Sequence, residues 1–434
     1  MMFRKETEIQ ETEIGKIPKD WKIEKLSSLA TIIMGQSPPS STYNKEGKGL
    51  PFIQGKIEFG KMYPSPTTYT SRPLKIAEKG DVLMSVRAPV GDVNIAPYKL
   101  CIGRGLAAIR FNPKMANNLF YFYYLQSIKN RLESLGKGST FKAITKKDLE
   151  ELRIVYPPLN EQKGIADVLL MVDRGIEIVD RAVAKLEGMK RALLNELLTG
   201  RIRVREENGK LTFYKETEFQ ETEIGEMPKD WKIEKLKNIV IKAKMGGTPR
   251  STVREYWGGD IPFAKVEDIT SSHKYLFKTS TTITKLGLEN SNAWIIPKDS
   301  LLITIYGTLG AVAINKIELA TNQAIVGIIP RKDIVDVEYL YYWYSFFQPN
   351  WNKYVKKSTQ PNLTLEIVTN SKLPLPSIKE QKRIADVLST IDSSIELYYR
   401  EKEKLLRLRK GLIGVLLTGR VRVVSDVRDV GVVA

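Results

Sequence analysis

Cysteine and histidine each occur once in 434 residues, as Cys101 and His273. A single cysteine excludes an internal disulfide framework and a cysteine-based zinc site. A single histidine excludes a pair of imidazole ligands and leaves no second imidazole for a histidine-dependent dyad. Negative charge is also in short supply: 50 Asp and Glu against 68 Lys and Arg leave a net charge of +18. That excess favours an acidic partner, nucleic acid or an anionic membrane surface. Apolar runs of membrane-spanning length are missing as well. The uncharged stretch 300–315 has 16 residues with Gly307 and Gly310 inside it, where a spanning helix wants roughly 20 mainly apolar residues, so it reads as strand and turn. Residues 1–10, MMFRKETEIQ, have the pattern of neither a signal nor a transit peptide. The expectation is a basic, cytoplasmic protein with no membrane segment.

The motifs of common catalytic chemistry are equally scarce. The nearest approach to a phosphate-binding G-x-x-x-x-G-K-[ST] loop is Gly136-Lys137-Gly138-Ser139, in the wrong order. Residues 103–108 match G-x-G-x-x-A, but Asn112 and Pro113 follow too soon for the long helix a dinucleotide site needs. No N-P-P-Y or D-P-P-Y stretch is present, and Tyr156-Pro157-Pro158-Leu159 only echoes one. Asp20-Trp21-Lys22 and Asp230-Trp231-Lys232 offer the carboxylate and lysine of a metal-dependent nuclease. A D-x-K triplet is common by chance, and here each follows a proline turn in which the indole is better read as a buried anchor.

What the chain does have is a repeat. Residues 5–26, KETEIQETEIGKIPKDWKIEKL, and 215–236, KETEFQETEIGEMPKDWKIEKL, agree at 19 of 22 positions. EQKGIADVLLMVDRGIEI (161–178) answers EQKRIADVLSTIDSSIEL (380–397), and LLTGRIRV (197–204) answers LLTGRVRV (416–423). Lys5 thus answers Lys215 while Leu197 answers Leu416, so the second copy is slightly the longer. The period is far too long for a solenoid. This is a duplicated domain with near-identical ends and diverged interiors. In the interiors the Gly and Pro skeleton persists while polar residues change, as in MGQSPPS (34–40) against MGGTPRS (245–251). One backbone with two polar decorations suits a scaffold reading two different targets, although drift after duplication also diversifies surfaces.

Heptad spacing marks the end of each copy. Ile165, Leu169, Val172, Ile176, Val179, Val183, Leu186, Leu193 and Leu197 step by alternating fours and threes, interrupted only by Lys190. Such a pattern predicts a coiled-coil helix, begun after Pro157-Pro158 and stopped at Gly200. The second copy repeats it with Ile384, Leu388, Ile391, Ile395, Tyr398, Leu405, Leu412 and Leu416, closed by Gly419. Lys402 and Arg409 dilute this second seam, which predicts weaker or partly solvated pairing. Inside each copy, 80–86 and 300–306 read as short buried strands. The aromatic clusters 119–128 and 338–347 are better read as covering a sheet than as stacking on bases.

Side chains that read bases must be polar, in loops and different between the copies. In the first copy the candidates are Gln36, Ser37, Gln54, Lys56, Arg87 and Arg104; in the second, Thr248, Arg250, Lys265, Glu267, Tyr306 and Gln323. Arg and Lys suit guanine, Gln suits adenine, and Glu accepts from the cytosine amine. Lys137, Ser139 and Thr140, with Lys356, Ser358 and Thr359, suit a phosphate-contacting loop before each long helix.

Two copies of an I-P-x-x-W type opening, a variable interior, a Glu-Gln helix start and an L-L-T-G-R-[IV]-R-V close resemble the specificity subunit of Type I restriction-modification systems. The helix start is Pro158-Leu159-Asn160-Glu161-Gln162-Lys163 in the first copy. In the second it is Pro376-Ser377-Ile378-Lys379-Glu380-Gln381, departing by Ser377 and one extra residue before the Glu-Gln pair. The resemblance covers all but the Val-rich tail 425–434. It implies an α+β chain of two tandem, pseudo-symmetric α/β target recognition domains (1–156 and 205–375). These are separated by two spacer helices (157–204 and 376–424) packed as an antiparallel coiled coil. It further implies no catalysis by this chain: each domain reads one half of a bipartite, asymmetric target in double-stranded DNA. The helices would set the spacing and dock two methyltransferase subunits. S-adenosylmethionine, ATP and Mg would be bound by methyltransferase and restriction or motor partners, and no cofactor by this chain. The competing classes are a stand-alone nuclease or methyltransferase and a non-specific coiled-coil DNA scaffold.

Overall fold

The computed structural model describes residues 2–135, 143–355 and 362–424. Contacts gather these into two compact units that cut across the linear segments. One joins the chain up to Asp180 with the chain from Arg400 on; the other is Arg181–Tyr399. Boundaries at 157, 205 and 376 therefore separate sequence segments, whereas each long helix serves both units.

In the first unit a four-stranded antiparallel sheet has the order Val93–Ile95, Val82–Ser85, Leu106–Phe111, Ala30–Met34. A second sheet carries Leu50–Ile53 beside Leu100–Ile102 in parallel. The second unit repeats both: Val240–Met245, Ile325–Pro330, Leu301–Thr304 and Val312–Asn315 lie side by side, and Trp257–Ala264 pairs in parallel with Ala320–Thr321. Val82–Ser85 and Leu301–Thr304 are buried on both faces, which is why they read as unbroken apolar runs rather than alternating ones. The aromatic helices Asn118–Ser127 and Val337–Phe347 bury six and seven side chains respectively. They are packing elements, as their composition predicts: the Tyr121 hydroxyl donates to the Val155 carbonyl at 3.0 Å, and Tyr339 does the same to Pro374 at 3.0 Å.

The near-identical ends of the two copies build one clasp twice. In the first unit Arg422 donates to Glu6 at 2.6 Å, to Asp20 at 2.7 Å and to Glu161 at 2.6 Å. Its guanidinium also lies 5.9 Å from the Trp21 ring. In the second, Arg203 donates to Glu216 at 2.6 Å, Asp230 at 2.9 Å and Glu380 at 2.6 Å, 5.3 Å from the Trp231 ring. Each clasp thus ties the closing arginine of one copy to the opening and helix start of the other. Trp21 and Trp231 are the buried anchors expected of them. Strand pairing follows the clasp: Met2–Lys5 pairs with Val421–Val424, and Ile202–Glu207 pairs with Lys210–Lys215 through an Asn208-Gly209 turn.

The glutamine beside each clasp glutamate has a separate job. The Gln162 amide oxygen accepts from the Asn117 backbone at 2.8 Å, and its nitrogen donates to the Pro157 carbonyl at 2.8 Å. Gln381 makes the same bonds to Asp336 at 2.9 Å and Pro376 at 2.9 Å. Each glutamine pins the cap of an aromatic helix to the start of a long one. The long helices, Leu159–Leu198 and Ile378–Leu416, begin at matched positions, Leu159 answering Ile378 just as Glu161 answers Glu380. Ser377 therefore stands where Pro158 stands, and the extra residue expected before the second Glu-Gln pair does not exist. At 1.5 Å per residue each helix runs about 60 Å.

Within each unit the two helices run antiparallel. Asp173 faces Arg409 and Asp180 faces Lys402 in the first; Lys190 faces Asp392 in the second. Ile165, Leu169, Ile176, Val179, Val183, Ile384, Leu388 and Ile391 are buried, and Val172, Leu186, Ile395 and Leu405 are half-buried. Tyr398 is 38% exposed, outside the apolar seam. Lys402 and Arg409 keep 31% and 26% of their side-chain surface, so the second seam is partly solvated there, as its charges predict. Each charge meets an aspartate of the facing helix, at 2.6 and 2.5 Å, so the seam gains ion pairs where it loses apolar contact.

Candidate nucleic-acid interface

Four loops converge at one rim of each unit, and the same backbone bonds hold them. In the first unit the Gly35 amide donates to the Leu106 carbonyl at 2.8 Å and Gln36 to Ile102 at 3.0 Å. Gly103 donates to Ile53 at 2.8 Å and Val86 to Gly105 at 2.9 Å. The second unit reproduces the set with Gly246 to Ile325 at 3.0 Å, Gly247 to Thr321 at 3.0 Å, Asn322 to Ala264 at 3.2 Å and Ile305 to Ala324 at 2.8 Å. A Cβ at Gly35 would lie 2.1 Å from the Gly103 carbonyl oxygen, and one at Gly246 would lie 2.1 Å from that of Thr321. The glycines are there because two backbones touch.

Ten of the twelve residues expected to read bases fall in five matched pairs on these rims, while Gln36 stands opposite Gly247 and Arg250 opposite Pro39. Ser37 corresponds to Thr248, Gln54 to Lys265, Lys56 to Glu267, Arg87 to Tyr306 and Arg104 to Gln323. A cross-loop contact repeats too: the Ser37 hydroxyl accepts from the Arg104 amide at 3.3 Å, and the Thr248 hydroxyl bonds the Gln323 side chain. Gln36, Gln54, Arg87, Arg104, Thr248, Arg250, Glu267, Tyr306 and Gln323 are exposed; Ser37, Lys56 and Lys265 are half-buried. Two rims with one backbone thus present different donors and acceptors.

A family profile described as the Type I restriction modification DNA specificity domain matches residues 18–187 and again 228–407. The chain belongs to this family. It is a Type I specificity subunit with two such domains, a role that implies DNA recognition. The "Type I restriction enzyme MjaVIII specificity subunit" of Methanocaldococcus jannaschii is 23% identical over 98% of both chains. The "Putative type I restriction enzyme MjaX specificity subunit" of the same organism is 57% identical over 45% of this chain and 47% of its own length. That match spans about half of the relative. The fold is also that of the crystal structure of the Type I system S subunit from M. genitalium, with a TM-score of 0.60 over 91% of this chain and 96% of that one, at 18% identity.

Local partners set what each side chain of the specificity subunit can do. The Lys56 ammonium donates to Asp92 at 2.6 Å, and Lys129 donates to the other oxygen at 2.7 Å. Burial alone would raise the Asp92 carboxyl, but these two lysines outweigh it and hold it below the usual range. Lys56 is thereby committed within the unit, while Arg87 and Arg104 keep their guanidinia at the surface. In the second unit the Trp257 indole donates to the Arg250 carbonyl at 3.2 Å, and the Lys265 ammonium lies 6.0 Å from its ring. Lys137, Ser139, Thr140, Lys356, Ser358 and Thr359 lie outside the described residues.

Sequence reasoning missed Ile57, which stands beside Lys56 with 91% of its surface exposed and suits apolar contact with a thymine methyl. It also missed Asn362, whose amide donates to the Tyr306 hydroxyl at 3.2 Å. Neither type carries a signal in sequence, since an isoleucine reads as core and a lone asparagine as loop. The D-x-K carboxylates are spoken for: both oxygens of Asp20 accept from Arg422 and both of Asp230 from Arg203. Among the described residues, no three His, Cys, Asp or Glu side chains are grouped to hold a metal ion, and no helix is long and apolar enough to cross a membrane.

Proposed function

We propose that this chain is the non-catalytic, cytoplasmic DNA-reading subunit of a Type I restriction-modification complex, each rim reading one half of a bipartite, asymmetric duplex target. The observation that carries the reading is the matched pair of rims: one set of backbone bonds displaying Gln54, Arg87 and Arg104 in one unit and Lys265, Tyr306 and Gln323 in the other. A fixed scaffold with exchanged donors and acceptors is what two different base sequences require. The net charge of +18 supplies salt-dependent attraction to phosphates.

The helices set the separation of the half-sites and dock two methyltransferase subunits. Exposed apolar side chains support docking. Met171, Ile178 and Met189 recur at spacings of 7 and 11 on the first long helix, and Leu397 and Leu408 on the second are also exposed. Surface of this kind is covered in an assembly. A structure described as the basis of "complex assembly" in the type I R-M system shares the fold, at 18% identity and a TM-score of 0.54. Methyl transfer from S-adenosylmethionine, and ATP- and Mg-dependent translocation and cleavage, belong to the partner subunits.

The test is selection from a randomised duplex library by the chain with a methyltransferase subunit. Two short, different half-sites at one separation are expected. Arg87→Ala should relax one half-site and Lys265→Ala the other, each by about 1–3 kcal/mol of discrimination. Absence of any sequence enrichment with the partner present would favour the non-specific scaffold.

A further inference from the structure

The seam between the long helices is aliphatic except at a few points, and at three of these, three elements meet on one carboxylate. Asp180 takes the exposed Lys61 of the domain and Lys402 of the facing helix at 2.5 and 2.6 Å, whereas Asp173 and Asp392 form a matched, more buried pair. In the first unit Asp173, on the first long helix, accepts from the Tyr123 hydroxyl of the aromatic helix at 2.8 Å. It also accepts from Arg409 of the facing long helix at 2.5 Å. Arg409 reaches back to the Gln126 amide oxygen at 3.2 Å, with its guanidinium 5.9 Å from the Tyr123 ring. In the second unit Asp392 accepts from the Tyr342 hydroxyl at 2.7 Å and pairs with Lys190 of the facing helix at 2.5 Å. With the helix starts Leu159 and Ile378 aligned, Tyr123 falls on Tyr342, Asp173 on Asp392 and Lys190 on Arg409. The constellation is therefore built twice, with the cation changed from arginine to lysine.

An ordinary seam ion pair would join two helices only. Here the carboxylate takes one donor from each side, so the domain's aromatic helix and the facing long helix are both referred to the same atom pair. Tyr123 and Tyr342 are fully buried, and Asp173 and Asp392 keep only 20% and 24% of their side-chain surface. Aliphatic heptads tolerate a shift in register, but a half-buried carboxylate stripped of either donor does not. Rotation of the domain breaks the phenol bond, and sliding of the facing helix breaks the cation bond.

We propose that Asp173 and Asp392 are positioning residues, each fixing the rotation and height of its recognition domain on the helix pair and hence the separation at which its half-site is read. The inference rests on the half-site reading above, and its test has an arm that does not use DNA. Tyr123→Phe and Tyr342→Phe each delete one hydroxyl and leave the packing in place. In library selection with the methyltransferase subunit, each variant is expected to keep both half-site sequences while the single separation spreads over two or three adjacent values. Leu149→Ala, a core truncation in the helix Lys146–Glu150 that leaves both donors of Asp173 in place, should lower stability and leave one separation. In the DNA-free arm, spin labels at K45C and E177C, both exposed and in the first unit, report the domain against its helix. Cys101 is fully buried and stays unlabelled. Tyr123→Phe should at least double the width of that distance distribution, and Tyr342→Phe should leave it unchanged. An unchanged width in Tyr123→Phe overturns the lock whatever the DNA result. A widened distribution with one retained separation overturns its role in spacing. Loss of all sequence enrichment in the wild-type chain strikes the half-site reading instead, leaving the distance measurement to decide the lock.

Discussion

One guanidinium in each clasp neutralises carboxylates that burial would otherwise penalise. Glu6 and Glu161 keep 3% and 7% of their side-chain surface and Arg422 keeps 14%. Removing the cation leaves those charges uncompensated. Arg422→Ala and Arg203→Ala should each cost about 3–5 kcal/mol in urea unfolding, and Arg→Lys should restore only part, because an ammonium cannot fork. The same groups predict a pH dependence. Burial works against ionisation of Glu6, but the Glu8 amide and Arg422 outweigh it, so its carboxyl titrates below the usual value of 4.5. Glu216 is lowered by the Glu218 amide, against burial, with help from Thr217 and Arg203. A lowered folded value means stability that is whole above the ordinary value of 4.5 and lost as pH falls from there through the lowered folded value. A double Arg→Ala variant should show a flatter acid limb in the urea midpoint; an equally steep limb would assign the slope to other groups.

Between elements, the contact of the aromatic helix with the long helix differs in chemistry from one unit to the other. In the second unit Lys274, 6% exposed, pairs with Glu338 and donates to the Ser389 hydroxyl at 2.6 Å. In the first, the same places hold Met62, Leu119 and Leu170. Leu119 and Leu170 fall on Glu338 and Ser389 when the two helix starts are aligned. Met62 accepts from the Ile95 amide as Lys274 does from Ile314, at 2.8 and 2.9 Å. Burial lowers the Lys274 ammonium below its ordinary value, against the pull of Glu338. Lys274→Met alone should destabilise by about 1.5–3 kcal/mol, through lost hydrogen bonds to charged groups. Lys274→Met with Glu338→Leu and Ser389→Leu should return to within about 1 kcal/mol of the parent, as differential scanning calorimetry would show.

These elements also mark how far the sequence could be read. The long helices were legible because their periodicity is local, the buried strands because they are short unbroken apolar runs, and the duplication because 19 of 22 positions match. The rims were partly legible, since a Gly-Pro skeleton with changing polar residues points to loops that read something. The partial solvation at Lys402 and Arg409 was legible, but their partners were not, because a heptad count sees a charge in the seam and not the aspartate across from it. Arg203 and Arg422 went unremarked for the same reason: their carboxylates lie up to 416 residues away, and no spacing rule spans that distance.

At the scale of the whole molecule, the strand pair Met2–Lys5 with Val421–Val424 is the open counterpart of the hairpin Ile202–Glu207 with Lys210–Lys215. Both flank a clasp, and only one has a covalent turn. A circular permutant opened between Asn208 and Gly209, with Val424 joined to Met2 by an Asn-Gly turn, should fold with its melting temperature within a few degrees of the parent. It should also select the same two half-sites in exchanged chain order. Failure to fold would mean that the central hairpin nucleates what the terminal pair only completes.

The crossed clasp bears on symmetry. A chain holding a single copy has an opening, a helix start and a closing arginine, whereas here each closing arginine meets the opening of the other copy. Two such chains that made the same bonds by exchanging their closing strands would form a closed homodimer, which on the proposed reading would read the same half-site twice. In one chain joined through the Asn208-Gly209 turn the two interiors need not match, and on the proposed reading differences such as Gln54 against Lys265 give a target without that symmetry.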